Sequence, residues 1–260
     1  MAKKKYEESN IANIATTIRE KIGTENTYKT SEMADGVNEV FEVGKKEAMQ
    51  RYWSRFTMDG TRLNYAYSFS YCDLSGYEIP QGLCMPTRNN SYIFYSYLGE
   101  ELPKGIDFSL QTDENIAYYP SHSGFAFSIN LKWIPDMNLK AVPVYNATYR
   151  TCRKLKGIEI VRCNENTTFP NTFNECSELE YIRFEGVIGQ DINLQWSPKL
   201  SLESLISLID CLKQYLDGDQ ADAYTKTVTL SAESWALLKA EEPQEYWWED
   251  QIYNKGWNFA

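Results

Sequence analysis

The sequence is poor in the residues that most catalytic and metal sites require. It has one histidine, His122, in 260 residues, and its six cysteines include no CxxC pair. Closely spaced Cys and His ligands are typical of zinc sites, and histidine is the usual general base. The phosphate-binding strings G-x-x-x-x-G-K-S/T and G-x-G-x-x-G are also absent. The sequence therefore predicts no catalytic residues, no metal site and no cofactor.

Positive charge and long apolar runs are lacking as well. The chain has 26 Lys and Arg against 36 Asp and Glu, for a formal net charge of −10, and no dense basic patch follows Lys3, Lys4 and Lys5. Nucleic acid is therefore not an expected partner. No apolar stretch approaches the roughly 20 residues that cross a bilayer, and the polar residues 7–10 do not resemble a signal-peptide core. We expect a soluble chain without membrane insertion.

Aromatic residues, in contrast, are abundant: 19 Tyr, 11 Phe and 7 Trp make up 14% of the chain. Some of them can fill a core, and others can form a tyrosine-rich surface that binds protein or glycan. Packing in a capping layer is the alternative for the tyrosine clusters. The candidate partner-binding residues are Tyr92, Tyr95, Tyr97, Tyr118 and Tyr119.

Residues 1–60 are predicted to form a helical segment for oligomerisation or attachment. Apolar residues recur at helical spacing over 9–22, and a second helix is predicted from near Ser31 to Gly60. Its apolar stripe alternates steps of four and three residues, as in a coiled-coil seam. The candidate oligomerisation residues are Val37, Phe41, Gly44, Ala48 and Tyr52. A homo-oligomer, most simply a trimer, and an antiparallel helix hairpin are the two alternatives.

Residues 61–196 contain an internal repeat with a period of 24 residues. The pattern F/Y-x-x-C/S-x-x-L-x-x-I begins at Phe125, Tyr149 and Phe173, and a degenerate copy begins at Phe69. Each isoleucine is followed by alternation that suits a short strand. This period lies within the range of leucine-rich repeats, whose apolar rungs stack into one core. The predicted repeat core consists of Phe125, Leu131, Ile134, Tyr149, Cys152, Leu155, Ile158, Phe173, Cys176, Leu179 and Ile182.

Residues 197–260 are predicted to form a C-terminal αβ cap. Apolar spacing indicates a helix over 201–216, alternation indicates a strand over 225–230, and Ser231 is a suitable N-cap for a helix through Leu238. A further helix is expected between Pro243 and Gly256, followed by a last strand. The fold class is therefore α+β, with N-terminal helices, a short irregular leucine-rich-repeat solenoid and this cap. Because two cysteines occupy equivalent repeat positions, reduced core thiols are favoured over disulfides.

The repeat resembles the BspA-type leucine-rich repeats of bacterial surface proteins and of prophage-encoded proteins of gut bacteria. The segments 11–23, 28–33 and 40–46, and later 200–205, 227–230 and 255–257, resemble phage tail or minor structural proteins of that group. The resemblance implies a virion protein, made in the bacterial cytoplasm, that is tail-associated or binds a receptor without catalysis. Its partners would be other virion proteins, or a protein or glycan of the host surface.

Two other functions fit the same residues. A bacterial surface or interaction protein could carry the same repeats, although such a protein would more naturally have a secretion signal and a wall anchor. A glycan-degrading tail enzyme would require two acidic residues held across a cleft. Adjacent acids such as Glu100 and Glu101 do not establish that separation.

Overall fold

The computed structural model describes residues 16, 20, 69–78, 92–109, 123–216, 223–240 and 248–260. The chain divides into two compact units, Met1–Phe56 and Thr57–Ala260. In the first unit, only Thr16 and Glu20 are described, and both are helical and exposed. The five candidate oligomerisation residues between Val37 and Tyr52 lie outside the described residues, so the oligomer and the helix hairpin both stay predictions. All that follows concerns the second unit.

The second unit mixes helices with short parallel strands. Two three-stranded parallel sheets are present, with strand orders β1-β2-β3 and β4-β5-β6. The elements of the described part are β1 (Trp133–Ile134), β2 (Gly157–Cys163), β3 (Tyr181–Gly186), β4 (Ile192–Asn193), α1 (Leu202–Cys211), β5 (Thr227–Thr229), α2 (Ala232–Ala240), α3 (Trp248–Asn254) and β6 (Asn258–Phe259).

The first sheet is in register with the sequence repeat. Ile134 of β1 pairs with Ile158 of β2, which pairs with Ile182 of β3, and each step spans 24 residues. All three isoleucines are buried. In β3 the side chains alternate as predicted, because one face of the strand packs on the core while the other faces out. In β2 the register shifts between Ile158 and Val161, so Val161 is buried and Ile160, which the alternation placed on the inner face, is half-buried. All eleven residues of the predicted repeat core are buried.

A column of stacked aromatic rings runs through this core. Phe69, Phe94, Phe125, Tyr149 and Phe173 follow one another with ring centroids 5.2, 5.2, 5.8 and 5.8 Å apart. All five rings are buried. The last three are the first residues of the predicted repeats, and Phe69 begins the degenerate copy. Phe94 is an additional member that the sequence pattern does not identify.

The turns that carry these rings have an unusual backbone. The residues two before and two after the ring residue have positive φ in four successive turns, for example Ser123 (52°) and Phe127 (63°) around Phe125. Positive φ is uncommon for bulky residues and reverses the direction of the chain locally. As a result, Phe125 points into the core, whereas Phe127 is 38% exposed.

The small residue of each repeat joins one turn to the turn before it. The Cys152 and Cys176 thiols donate to the carbonyl oxygens of Phe125 and Tyr149, both at 3.0 Å, and the Ser128 hydroxyl donates to the carbonyl of Phe94 at 2.8 Å. Burial raises the pKa of Cys176 to about 12, so this thiol keeps its proton at neutral pH. Five described cysteines, Cys152 and Cys176 included, are free thiols.

Helix α1 begins where the sequence predicts but is shorter. Ser201 accepts the backbone N–H of Ser204 and caps the first turn. The expected extension to Leu216 is wrong, because the helix ends at Cys211 and Leu212 is extended. There the chain forms a parallel bridge with Ile188, whose N–H donates to the Cys211 carbonyl and whose carbonyl accepts the Lys213 N–H. Backbone pairing with another segment therefore overrides the helical periodicity of the sequence.

The same helix covers the outer edge of the first sheet. The backbone N–H groups of Ile182 and Phe184 in β3 donate to the hydroxyls of Ser204 and Ser207, both at 2.9 Å. These N–H groups would otherwise be available to a further parallel strand. Two helical serines therefore take the place of the next strand and end the sheet at β3.

We expect the double substitution Ser204→Ala with Ser207→Ala to destabilise the protein by about 2–4 kcal/mol, because each change leaves a β3 N–H without its acceptor. Ser197→Ala is the matched control, since the buried Ser197 hydroxyl has no hydrogen-bond partner within the described residues. Urea denaturation followed by circular dichroism measures both variants. A double variant as stable as the Ser197 variant would contradict this account of the sheet edge.

Candidate binding surfaces

A row of aromatic side chains lies on the surface of three successive turns. The rings of Tyr71 and Tyr95 are 6.3 Å apart, those of Tyr95 and Phe127 are 5.4 Å apart, and Tyr92 lies 5.6 Å from Tyr95. Tyr71 is 64% exposed and Phe127 is 38% exposed, while Tyr92 and Tyr95 are half-buried. We call these four residues the aromatic row.

The backbone of the repeat places the aromatic row. Tyr71 and Phe127 each stand two residues after a ring of the buried column, and both have positive φ and exposed side chains. Each surface ring is therefore fixed by the turn that buries its neighbour. At one end of the row, the guanidinium of Arg150 lies 5.8 Å from the centre of the Phe127 ring, within the range of a cation–π interaction.

The structure describes three of the five predicted partner-binding tyrosines, and two of these three lie on the surface. Tyr92 and Tyr95 belong to the aromatic row, whereas Tyr118 and Tyr119 lie outside the described residues. Tyr97 is fully buried, which corrects its assignment to a surface. Its hydroxyl accepts the Leu74 N–H at 2.8 Å and donates to the Glu101 carbonyl at 2.9 Å, and burial raises its pKa well above the usual value. Tyr97 is therefore a core residue.

A pair of stacked aromatic side chains, separate from the aromatic row, lies on the first sheet. Trp133 of β1 and Tyr181 of β3 are separated by Gly157 of β2 in the register, and their rings stack at 5.7 Å. The indole occupies the space that a β-carbon on Gly157 would need. Trp133 is 42% exposed, so this pair presents one flat aromatic face.

The charged side chains near β2 form a structural network. The two terminal nitrogens of Arg162 donate to both carboxylate oxygens of Asp136 at 2.8 and 2.7 Å, and its Nε donates to Glu185 at 3.1 Å. The Arg162 guanidinium lowers the pKa of Asp136. Bidentate pairs of this kind fix geometry strongly. The network joins residues of three successive repeats, and Asp136 is already occupied as a hydrogen-bond acceptor.

A polar groove of about 630 Å³ lies where the turn 168–171 meets the outer face of β4 and β5. Because side chains alternate along a strand, Thr227 and Thr229 share one face of β5 while Val228 faces the core. The lining residues are Thr168, Phe169, Pro170, Asn171, Gln190, Asp191, Ile192, Asn193, Thr227 and Thr229. We call this the polar groove.

The polar side chains of the groove are held in place by neighbouring groups. Asp191 Oδ1 accepts the Thr227 N–H at 2.7 Å, and Asn193 Oδ1 accepts the Gln195 N–H at 2.9 Å. Asn171 Oδ1 accepts Asn174 Nδ2 at 3.1 Å. Each bond uses one oxygen, which leaves an Nδ2 donor on each asparagine and a second oxygen on the aspartate. The groove therefore offers donors and acceptors in fixed orientations.

The described residues contain no group of three His, Cys, Asp or Glu side chains that could hold a metal ion. None of the described helices is both long enough and apolar enough to cross a bilayer. Comparisons with protein-family models, curated proteins and solved structures found no match.

The sequence signals identified these surfaces only in part. Tyrosine enrichment led to Tyr92 and Tyr95, but Tyr71 and Phe127 were missed, although both stand at equivalent positions two residues after a repeat aromatic. That offset is a usable signal once the turn geometry is known. The polar groove had no signal in the sequence, because its walls come from three separate segments, 168–171, 190–193 and 227–229.

Proposed function

We propose that this chain is a non-catalytic interaction protein of a phage particle that binds its partner through the aromatic row. The aromatic row is the observation that supports partner binding most strongly. Tyr71 and Phe127 present large rings to solvent from positions fixed by buried neighbours. Such rigid, amphipathic rings are enriched in protein interfaces and binding sites because they bury much area with little loss of conformational entropy.

The second unit, in this proposal, is a short irregular leucine-rich-repeat solenoid closed by the C-terminal cap. Three strands paired at intervals of 24 residues support this architecture, as does the column of five rings. In stacked repeats, each unit contacts mainly its neighbours, and equivalent positions line up into continuous surfaces. The aromatic row follows from that arrangement, since its members occupy nearby positions in successive turns.

The assignment to a virion rests on the resemblance of the repeats and of the terminal segments to phage tail and minor structural proteins. The partner is then another virion protein, or a protein or glycan on the host surface. The residues from Val37 to Tyr52 provide the contacts of a homo-oligomer in this proposal.

Particles released from the encoding bacterium test the proposal directly. We expect the chain to be found by mass spectrometry in particles purified on a density gradient. The substitutions Tyr71→Ser with Phe127→Ser should remove the chain from particles or slow particle adsorption to host cells about tenfold, because interface aromatics often contribute more than 1 kcal/mol each. Trp196→Ser with Tyr253→Ser is the matched control, since these two rings are 50% and 52% exposed outside the row.

Two results would overturn the proposal. Recovery of the chain in the cell envelope and not in particles would favour a bacterial surface protein. Unchanged incorporation and adsorption of the Tyr71 and Phe127 variant would remove the aromatic row as the binding surface.

A further inference from the structure

We infer that the polar groove binds a neutral oligosaccharide. The groove is separate from the aromatic row in its residues, and its lining combines hydroxyl, amide and carboxylate side chains with the apolar residues Phe169, Pro170 and Ile192. Its volume of about 630 Å³ lies within the usual range for small-molecule sites. The inference goes beyond the proposed function, which places partner binding on the aromatic row and not in this groove.

The ligand class follows from the mixture of donors and acceptors. Asn171 and Asn193 each keep an Nδ2 donor, Asp191 keeps an acceptor oxygen, and Gln190 keeps its Oε1 acceptor because its Nε2 donates to the Glu165 carbonyl at 3.4 Å. The hydroxyls of Thr227 and Thr229 can act as donor or acceptor. A sugar hydroxyl also donates and accepts at once, so a row of such hydroxyls matches this lining.

Other ligand classes match the groove less well. A phosphate or sulfate is an anion that mainly accepts hydrogen bonds, and the Asp191 carboxylate in the lining would repel it. The net charge of −10 adds to that repulsion for an anionic polymer. Protein Ca²⁺ sites usually include several carboxylates, whereas Asp191 is the one acidic residue among the described residues of the lining.

The groove also has a rigid frame. Asp191 directly precedes β4 and accepts the backbone N–H of Thr227, and therefore joins the start of β4 to the start of β5. Beneath the turn 168–171, the Phe169 ring stacks on Tyr145 at 5.7 Å and is only 6% exposed. The exposed ring of Pro170 gives the wall a small apolar surface that suits the C–H face of a sugar. Binding groups held this way lose little freedom when a ligand binds.

An array of neutral oligosaccharides tests the inference, with maltotriose, cellotriose, chitotriose, mannotriose and galactotriose as the probes. The full chain is presented in multivalent form on streptavidin, and hits are measured by calorimetry. We expect binding to at least one probe, and about tenfold weaker binding for Thr227→Val with Thr229→Val. Valine keeps the shape and strand preference of threonine, so the variant retains the fold. Thr225→Val is the control outside the lining and should bind as the unaltered chain does.

Three outcomes would overturn the inference. The first is no binding to any probe above the level of streptavidin alone. The second is binding that Thr227→Val with Thr229→Val leaves unchanged. The third is preferential binding of anionic saccharides that Asp191→Asn strengthens. The array does not depend on phage particles, so a failure here leaves the particle experiment intact, and a chain absent from particles could still bind a sugar in the groove.

Discussion

Replacing Phe125 with alanine should cost about 3–5 kcal/mol of unfolding free energy, because it removes a fully buried ring from the middle of the aromatic column. Its neighbours Phe94 and Tyr149 lie 5.2 and 5.8 Å away on either side and would face a cavity. In a stacked architecture, each turn is stabilised by the turns next to it. We therefore expect the loss to extend to the turns on both sides.

Phe127→Ala is the control for this experiment, since Phe127 is the same residue type two positions later in the same turn but is 38% exposed. Its replacement should cost about 1 kcal/mol or less. Urea denaturation gives both free energies, and hydrogen exchange of the Phe94 and Tyr149 amides, which are both hydrogen-bonded, reports on the neighbouring turns. Equal losses for the two variants would show that the column does not carry the stability assigned to it.

Gly186→Ala is expected to cost about 3–4 kcal/mol, and the reason is mainly steric. Gly186 has φ of +102°, and a β-carbon there would lie 2.0 Å from the carbonyl oxygen of Cys163. That oxygen belongs to the backbone of β2, which pairs with Gly186 at the end of the sheet. The two strands would have to separate at this point to admit a methyl group.

A second glycine separates the steric cost from the conformational one. Gly76 has φ of +77°, and no atom of the described residues lies within 4 Å of the position where its β-carbon would be. Gly76→Ala should therefore cost only about 1 kcal/mol. The difference between the two melting curves, measured by circular dichroism, gives the effect of the Cys163 carbonyl. If the Gly76 variant loses as much stability as the Gly186 variant, the close approach to the Cys163 carbonyl adds no measurable cost.

The repeat could be identified from the sequence because the same residue types recur at the same spacing. Ile134, Ile158 and Ile182 stand 24 residues apart, and each occupies the same position in its strand. Phe94 escaped this test for two reasons. It lies 31 residues before Phe125, and Tyr97 takes the place of the small cysteine or serine. A fixed pattern with a small residue at this position therefore does not match the turn of Phe94.

The surfaces could not be predicted to the same degree. Whether a tyrosine points outwards depends on its place in the turn. Tyr71, two residues after a ring of the column, is 64% exposed, whereas Tyr97, three residues after the next ring, is fully buried. A non-glycine residue adopts positive φ because the surrounding packing requires this conformation, and not because the residue itself favours it. The end of α1 shows the same limit, since pairing with Ile188 decided it.

Helix α1 ends the first sheet in a way that does not depend on how many strands precede β3. Ser204 and Ser207 bond to backbone N–H groups of β3, and every parallel strand offers the same groups whatever its side chains. The two serines of α1 therefore cover the strand edge without any requirement on the side chains of that strand. A 24-residue unit could be gained or lost upstream while the same helix still covers the last strand. The number of repeats can therefore change without a change in the helix that ends the sheet.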